Sequence, residues 1–191
     1  MAEHPIVEKT RGKKIGDKIV EDFAKWAAAS SARQGCSLRG KKWYRHIERL
    51  NFDLIMDRNR GPITSSEFDE LHKSTVEKLA KEAQVEIGWA AKIVNMLLKV
   101  KVYIHDEGRD GLKECIHPVM DNILIDKLKS EYSSRRDNQA REIFARIKLG
   151  KPINGIKSYA QYKNVVDGCR LVARDKKMYL FQVEKFWRVE K

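Results

Sequence analysis

The sequence contains few cysteines and no long apolar segment, and both features narrow what the protein can be. No run of apolar residues approaches the ~20 that a membrane-spanning helix needs. The N-terminal residues MAEHPIVEKTRGKK lack the apolar stretch of a secretory signal peptide. The 3 cysteines, Cys36, Cys115 and Cys169, are scattered and odd in number, which does not fit a disulfide framework. We therefore expect a soluble, cytoplasmic protein.

Metal-binding motifs are also missing from the sequence. The 5 histidines form no HExxH pair, and there is no Cys-x-x-Cys. Cys115 and His117 are neighbours in sequence, but two ligands do not complete a zinc site. No carboxylates are spaced to hold a pair of magnesium ions, which argues against a metal-dependent nuclease. We expect neither a metal nor a cofactor.

Positive charge is in excess. The chain has 39 Lys and Arg against 27 Asp and Glu, which gives a formal net charge of +12, and basic residues cluster at 11–14, 39–43 and 135–136. Such an excess suggests a polyanionic partner, most often nucleic acid. A basic, well-solvated surface without such a partner is the other interpretation.

The hydrophobic pattern has a helical period almost throughout. It predicts an all-α fold in which residues 15–191 form one domain of about seven or eight helices, preceded by a flexible basic tail at residues 1–14. Thr64 and Glu67 have the spacing of a helix N-cap region. The dipeptide His117-Pro118 is predicted to open another helix, because proline suits the first helical position.

One segment, residues 89–104, is apolar on nearly all sides and is predicted to be a central, buried helix. Its polar residues Lys92, Asn95 and Lys99 are three and four positions apart, so they share one stripe. Such a stripe lines a cleft or faces a partner, and desolvation beside a second cation lowers a lysine pKa toward that of a nucleophile. The alternative is a solvated face with two ordinary lysines.

Asp121 is predicted to lie on the apolar side of the helix that follows, with Leu124, Ile125 and Leu128. An aspartate in that place needs a partner or a chemical role, because burying an unpaired charge is costly. The alternative is that Asp121 caps the free N–H groups at the start of the helix.

Three sequence motifs together resemble the helix-hairpin-helix DNA glycosylases, in the branch of the archaeal 8-oxoguanine DNA glycosylase and its bacterial relatives. The motifs are Val85-Glu-Ile-Gly-Trp-Ala-Ala-Lys92, the following Ile-Val-Asn-Met-Leu-Leu-Lys99, and His117-Pro-Val-Met-Asp121. That branch carries two lysines seven residues apart after the hairpin, the first of them the nucleophile, and an aspartate further along. Lys92, Lys99 and Asp121 match this pattern over a resemblance that covers residues 30–130.

The resemblance implies a role for each matching residue. Lys92 and Asp121 would be catalytic, whereas Gln34 and Lys99 would contact the damaged base. Trp43 would stack on the base or belong to the core, as would Trp89. Trp187 or Phe186 would supply an aromatic from a late helix, and the acid that the branch places beside it is not assigned by the sequence.

DNA binding is implied for Lys41, Lys42, Ile87 and Gly88. The first two lie in the segment Gln34-GCSLRGKK-Trp43, which resembles the part of the branch in which a glutamine reads the damaged base. The last two lie in the hairpin. Gly88 is the hairpin's one glycine, where the better-known glycosylases have Gly-x-Gly.

The function implied is base excision from double-stranded DNA by a nucleoid-associated monomer. The enzyme would flip a damaged or modified base such as 8-oxoguanine out of the duplex, since a stacked base cannot be reached. Lys92 would attack C1′ to form an imine, and elimination of the 3′ phosphate would then cleave the strand. The alternative is a non-catalytic, basic helical nucleic-acid-binding protein, in which lysines belong on polar surfaces.

Overall fold

The protein is described by a computed structural model that covers residues 5–32, 35–148 and 153–187. These residues contain no β-strand, so the all-α prediction is confirmed. They form nine α-helices: α1 Pro5–Ser31, α2 Lys42–Ile47, α3 Asp53–Met56, α4 Ser65–Ala83, α5 Ile87–Lys99, α6 Leu112–Cys115, α7 Asn122–Ser133, α8 Asn138–Lys148 and α9 Tyr159–Asp175. No helix in this part of the chain is both long and apolar enough to cross a membrane.

Helix α5 runs through the centre of the molecule, as its composition predicts. Lys92, Met96 and Lys99 are partly buried, and all of its other residues are buried. It packs against α1, α4, α9 and a short 3₁₀ helix at Ile153–Gly155, and it continues into a π-helical turn at Val100–Ile104. Because apolar burial is the main stabilising term in folding, the packing of α1, α4 and α9 against α5 forms a central part of the core.

Helix α1 lies against α5 through a face of small residues. Ala24, Ala28 and Ala32 are fully buried there, and their short side chains let the two helix axes approach closely. The helix includes residues 5–14, which differs from the flexible tail predicted for 1–14. The reason is propensity, since this stretch is rich in Glu, Lys and Arg and has no proline after Pro5.

Helices α4 and α5 pack together across a short turn. Thr64 caps α4 as predicted, because its hydroxyl oxygen accepts a hydrogen bond of 3.2 Å from the Glu67 N–H. The helix ends at Gln84, which adopts a left-handed conformation with φ 53°. Residues 84–86 then lead directly into α5.

Trp43, Ile47, Leu50 and Leu54 have the spacing of one helical face, but the structure divides this stretch between α2 and α3. The side-chain oxygen of Asn51 accepts a hydrogen bond of 2.6 Å from the Asp53 N–H, a local turn that competes with helix continuation. This division and the short α6 explain why there are nine α-helices rather than the predicted seven or eight.

The predicted start of the helix at His117-Pro118 is wrong. The backbone is not helical from residue 116 to residue 121, and α7 begins only at Asn122. The peptide groups of this segment are bonded to other elements instead. The Pro118 carbonyl accepts from Asn95 Nδ2 at 2.9 Å, and the Val119 N–H donates to Glu184 Oε1 at 2.7 Å.

The end of the described chain forms a 3₁₀ helix at Leu180–Trp187, where the sequence predicts an α-helix. This helix packs against α6, α7 and α9. Its position brings Glu184 and Trp187 to the extended segment 116–121, which lies beside α5.

Candidate active site

Lys92 and Asp121 face each other across the junction between α5 and the start of α7. Lys92 Nζ lies 3.8 Å from Asp121 Oδ2, and the two side chains are only 11% and 15% exposed. This distance suits an ion pair but is longer than a hydrogen bond between nitrogen and oxygen. The two residues that the sequence selects are therefore brought together, and the amine is not bound to the carboxylate by a hydrogen bond.

The Asp121 carboxylate is held in a fixed orientation. Its Oδ1 accepts from the Leu124 N–H at 2.9 Å and from Trp187 Nε1–H at 2.8 Å. Its Oδ2 is left facing Lys92. Asp121 therefore caps α7, as the alternative interpretation predicts, and it also has Lys92 as a charged partner. A carboxylate at a helix N-terminus is further stabilised by the helix dipole.

The environment of Lys92 favours the free amine. Burial lowers the pKa of Lys92 below its usual value, and the Asp121 carboxylate only partly opposes this effect. Lys92 Nζ lies 5.7 Å from the centre of the Trp89 ring, a contact that favours the charged form, so the lowering of the pKa comes from burial alone. A lysine whose pKa is lowered by burial has a larger deprotonated fraction at neutral pH than an exposed lysine, and the deprotonated form is the nucleophile.

A cavity of about 350 Å³ opens at this pair. We call it the dyad cavity. Its walls come from the C-terminal end of α1, from α5, from the start of α7 and from Ile153; the lining residues are Ser30, Ser31, Trp89, Lys92, Asp121, Asn122, Ile123 and Ile153. Both Lys92 and Asp121 are therefore reachable from outside the core.

A second cavity, of about 480 Å³, lies between α5 and the last 3₁₀ helix. We call it the aromatic cavity. It is lined by Lys99, Phe181, Gln182, Glu184, Lys185 and Trp187. The Lys99 ammonium donates to Glu184 Oε2, so a charged pair forms part of its wall. Trp187 lines this cavity and donates to Asp121, and so it connects the two cavities.

Glu184 is the residue that sequence reasoning missed. The sequence signals for it were its place three residues before Trp187 and its position on the same late segment. Neither signal indicates that its partner is Lys99, because the two residues are 85 positions apart. Only the fold brings them together.

Trp43 does not have the exposure that stacking on a base requires. It is fully buried, and its Nε1–H donates to the Leu38 carbonyl at 3.0 Å. The prediction that Trp43 binds the substrate is therefore wrong, and the core alternative is correct. Trp89 is also buried, with 6% of its surface exposed, although it reaches the wall of the dyad cavity.

Gly88 has a structural role in the first turn of α5. Its N–H donates to the Ile156 carbonyl at 3.1 Å, so this amide is not available to a phosphate. A Cβ on Gly88 would lie 2.2 Å from the Ile153 carbonyl oxygen, which explains why glycine is needed there. The side chain of its neighbour Ile87 is buried.

The remaining predicted residues fall in three places. Lys41 and Lys42 are exposed and line a groove of about 400 Å³ with Leu38, Arg45 and His46. Gln34 lies outside the described residues. Asn95 is fully buried, so the stripe of Lys92, Asn95 and Lys99 does not line one continuous cleft.

Comparison of the chain with protein-family models, with curated proteins and with solved structures found no match.

Proposed function

We propose that this protein is a DNA glycosylase with AP lyase activity, and that Lys92 is its nucleophile. The observation that carries the proposal is the pairing of a buried amine, whose pKa is lowered, with a carboxylate that two N–H donors hold in place. A buried ion pair that serves stability alone gains from direct hydrogen bonds, which offset the cost of desolvating both charges. Here the pair is separated by 3.8 Å and lies in the wall of a cavity.

The proposed chemistry uses the two side chains differently. The lone pair of the Lys92 amine forms a bond to C1′, the electrons of the glycosidic bond leave with the base, and the departing base takes up a proton. Loss of one amine proton, and protonation of O4′ as the sugar ring opens, give a protonated imine. Removal of a proton from C2′ then forms a C2′–C3′ double bond and expels the 3′ phosphate. Asp121 stabilises the positive charge that develops on the sugar.

The aromatic cavity is the proposed site of the flipped base. Trp187 offers a surface for stacking, and Lys99 and Glu184 offer a donor and an acceptor for the polar edge of the base. A flipped base is recognised in general by stacking and by hydrogen bonds to its edge. We propose 8-oxoguanine or another modified base as the ligand.

The basic surface supports double-stranded DNA as the partner. The exposed groove with Lys41, Lys42 and Arg45 is suited to phosphates, which supply most of the salt-dependent binding energy. In a non-catalytic nucleic-acid-binding protein, lysines would be useful only on such surfaces. The burial of Lys92 therefore favours the enzyme over that alternative.

The test is release of the base from a duplex that carries one 8-oxoguanine. Lys92→Gln is expected to abolish release, because the amide is not a nucleophile, while DNA affinity stays within a few-fold. Lys73→Gln removes the same charge from an exposed position on α4 and should release the base at the rate of the unmodified protein. Equal activity of the Lys92 variant would remove the assignment of the nucleophile.

A further inference from the structure

One peptide group of the extended segment, the one between Pro118 and Val119, is held on both sides. Its carbonyl accepts a hydrogen bond of 2.9 Å from Asn95 Nδ2. Its N–H donates a hydrogen bond of 2.7 Å to Glu184 Oε1. The second carboxylate oxygen of Glu184 accepts from Lys99. We call these contacts the peptide clamp.

The peptide clamp connects α5 to the position of Asp121. Asn95 and Lys99 lie on the same face of α5 as Lys92, three and seven residues further along. Val119 precedes Asp121 by two residues, so fixing its peptide group leaves the chain little freedom before the carboxylate. The same face of α5 therefore carries the Lys92 amine and binds the extended segment that ends at Asp121.

Hydrogen bonds in the core fix the orientation of the Asn95 amide. Its Nδ2 also donates to the Tyr162 hydroxyl at 2.9 Å, and its Oδ1 bonds to His72 Nε2 at 2.8 Å. Burial lowers the pKa of His72 far below its usual value, so the ring is neutral. His72 Nε2 therefore carries the proton that Asn95 accepts. His72 Nδ1 lies 2.8 Å from the Tyr159 hydroxyl, whose one proton is shared between this nitrogen and the Asp69 carbonyl oxygen at 3.1 Å.

The hydrogen-bond network continues from Asn95 through Tyr162. The Tyr162 hydroxyl has one proton, which it gives to His117 Nδ1 at 3.0 Å. His117 Nε2–H then donates to Asp69 Oδ1 at 2.8 Å, and Arg170 also donates to that oxygen, at 2.6 Å. If the Asn95 amide were flipped, its oxygen would face the Pro118 carbonyl. The buried network thus permits only one orientation.

We propose that Asn95 is a positioning residue, and that the peptide clamp sets Asp121 opposite Lys92. The catalytic consequence rests on the proposed function, whereas the structural consequence does not. Loss of the Asn95 donor frees the Pro118 carbonyl, and Asp121 then moves relative to its three contacts, the Leu124 N–H, the Trp187 indole and Lys92.

The Trp187 indole N–H reports this movement by NMR, because it donates to Asp121. Asn95→Ala should shift the indole signal of Trp187 and speed its hydrogen exchange at least tenfold. The indole of Trp43, which donates to Leu38, should be unchanged. Thr64→Ala also removes a hydrogen bond, the exposed one at the start of α4, and should leave the Trp187 signal in place. An unchanged Trp187 signal in Asn95→Ala, or an equal shift in Thr64→Ala, overturns the proposal.

A pair of Glu184 variants tests the other side of the peptide clamp and does not depend on Asn95→Ala being able to fold. Glu184→Gln keeps an oxygen that can accept from the Val119 N–H, whereas Glu184→Ala does not. The Leu124 amide signal, which also reports on Asp121, should move in Glu184→Ala and stay near its original position in Glu184→Gln. Equal movement in both variants contradicts the proposal.

The catalytic consequence is measured on a duplex with a preformed abasic site, where recognition of a base plays no part. Borohydride trapping by Asn95→Ala should be at least tenfold slower than trapping by the unmodified protein, and trapping by Thr64→Ala should not be slowed. An unslowed Asn95→Ala refutes the positioning role. If the unmodified protein forms no adduct, the proposed function fails, and the NMR signals alone decide whether the peptide clamp positions Asp121.

Discussion

The two oxygens of the Asp121 carboxylate have different roles. Oδ1 accepts the hydrogen bonds that cap α7 and hold Trp187, and Oδ2 faces Lys92. The capping task needs only an oxygen, whereas the task toward Lys92 needs a negative charge. The two tasks can therefore be separated by a substitution that keeps the oxygen and removes the charge.

Asp121→Asn is that substitution. Asparagine is as good an N-cap as aspartate, so the free energy of unfolding should change by less than ~1 kcal/mol. The rate of base release should fall by at least ~10²-fold, a typical loss for such a group. Asp126→Asn removes the same charge from an exposed position on α7 and serves as the control in single-turnover assays. If Asp121→Asn unfolds the protein and has no separable effect on the rate, capping is its main role.

For single residues, the sequence predicts those whose role follows from the spacing of neighbouring residues. Lys92 and Asp121 follow from helical spacing and from the resemblance to a glycosylase branch, and the structure brings them to 3.8 Å. Trp43 could not be assigned in the same way, because a basic run beside an aromatic residue does not reveal whether the ring faces inward. Glu184 could not be assigned because its contacts are made across long separations in sequence.

Helix α5 depends on a close approach at its first turn. The Gly88 N–H and Cα lie against the backbone of residues 153–156, where a Cβ would be 2.2 Å from a carbonyl oxygen. A backbone oxygen cannot move aside as the end of a flexible side chain can. The glycine therefore allows the 3₁₀ helix Ile153–Gly155 to pack against α5, and Ile153 is also part of the wall of the dyad cavity.

Gly88→Ala should lower the free energy of unfolding by at least ~1–3 kcal/mol, the usual cost of overpacking. Gly16→Ala is the matched control, since a Cβ on Gly16 in α1 meets no atom within 4 Å. Alanine is the better helix former by about 0.5–1 kcal/mol, so this variant should be stabilised. Urea denaturation measures both, and destabilisation of the two variants by the same amount would contradict the explanation.

The elements that the sequence predicts well are those with a strong hydrophobic pattern, such as α5, which the apolar segment 89–104 indicates. The extended segment at residues 116–121 could not be predicted, because its peptide groups are bonded to Asn95 and Glu184, which lie 23 and 65 residues away. The proline that suits a helix start also suits an extended chain. Tertiary contacts decide between a helix start and an extended chain, and a local sequence pattern gives no information about such contacts.

The molecule buries two neutral histidine rings within a polar network at its centre. His72 and His117 are almost fully buried, and burial is the largest cause that lowers the pKa of each below its usual value of 6.5. The unfolded chain therefore binds more protons than the folded protein once the pH falls below that value. The stabilisation is present above pH 6.5 and is lost as the pH falls.

The free energy of unfolding should decrease from about pH 6.5 downward, by at most ~1.4 kcal/mol per pH unit for each histidine. Urea denaturation at a series of pH values measures this slope. The imidazole NMR signals of His72 and His117 provide the control, because they should not titrate near pH 6.5 while the protein is folded. Titration of both rings at their usual pKa, with no loss of stability, would contradict the claim that His72 and His117 are neutral in the folded protein.

The most direct measurement of the central claim is borohydride trapping with a duplex that carries one 8-oxoguanine, run beside an abasic-site duplex. The proposed mechanism predicts a covalent protein–DNA band with both duplexes, and no band for Lys92→Gln. A band with the abasic duplex alone would keep Lys92 as the nucleophile and would require a different base. No band with either duplex, despite tight and salt-sensitive binding, would contradict the claim and identify the protein as a non-catalytic DNA-binding protein.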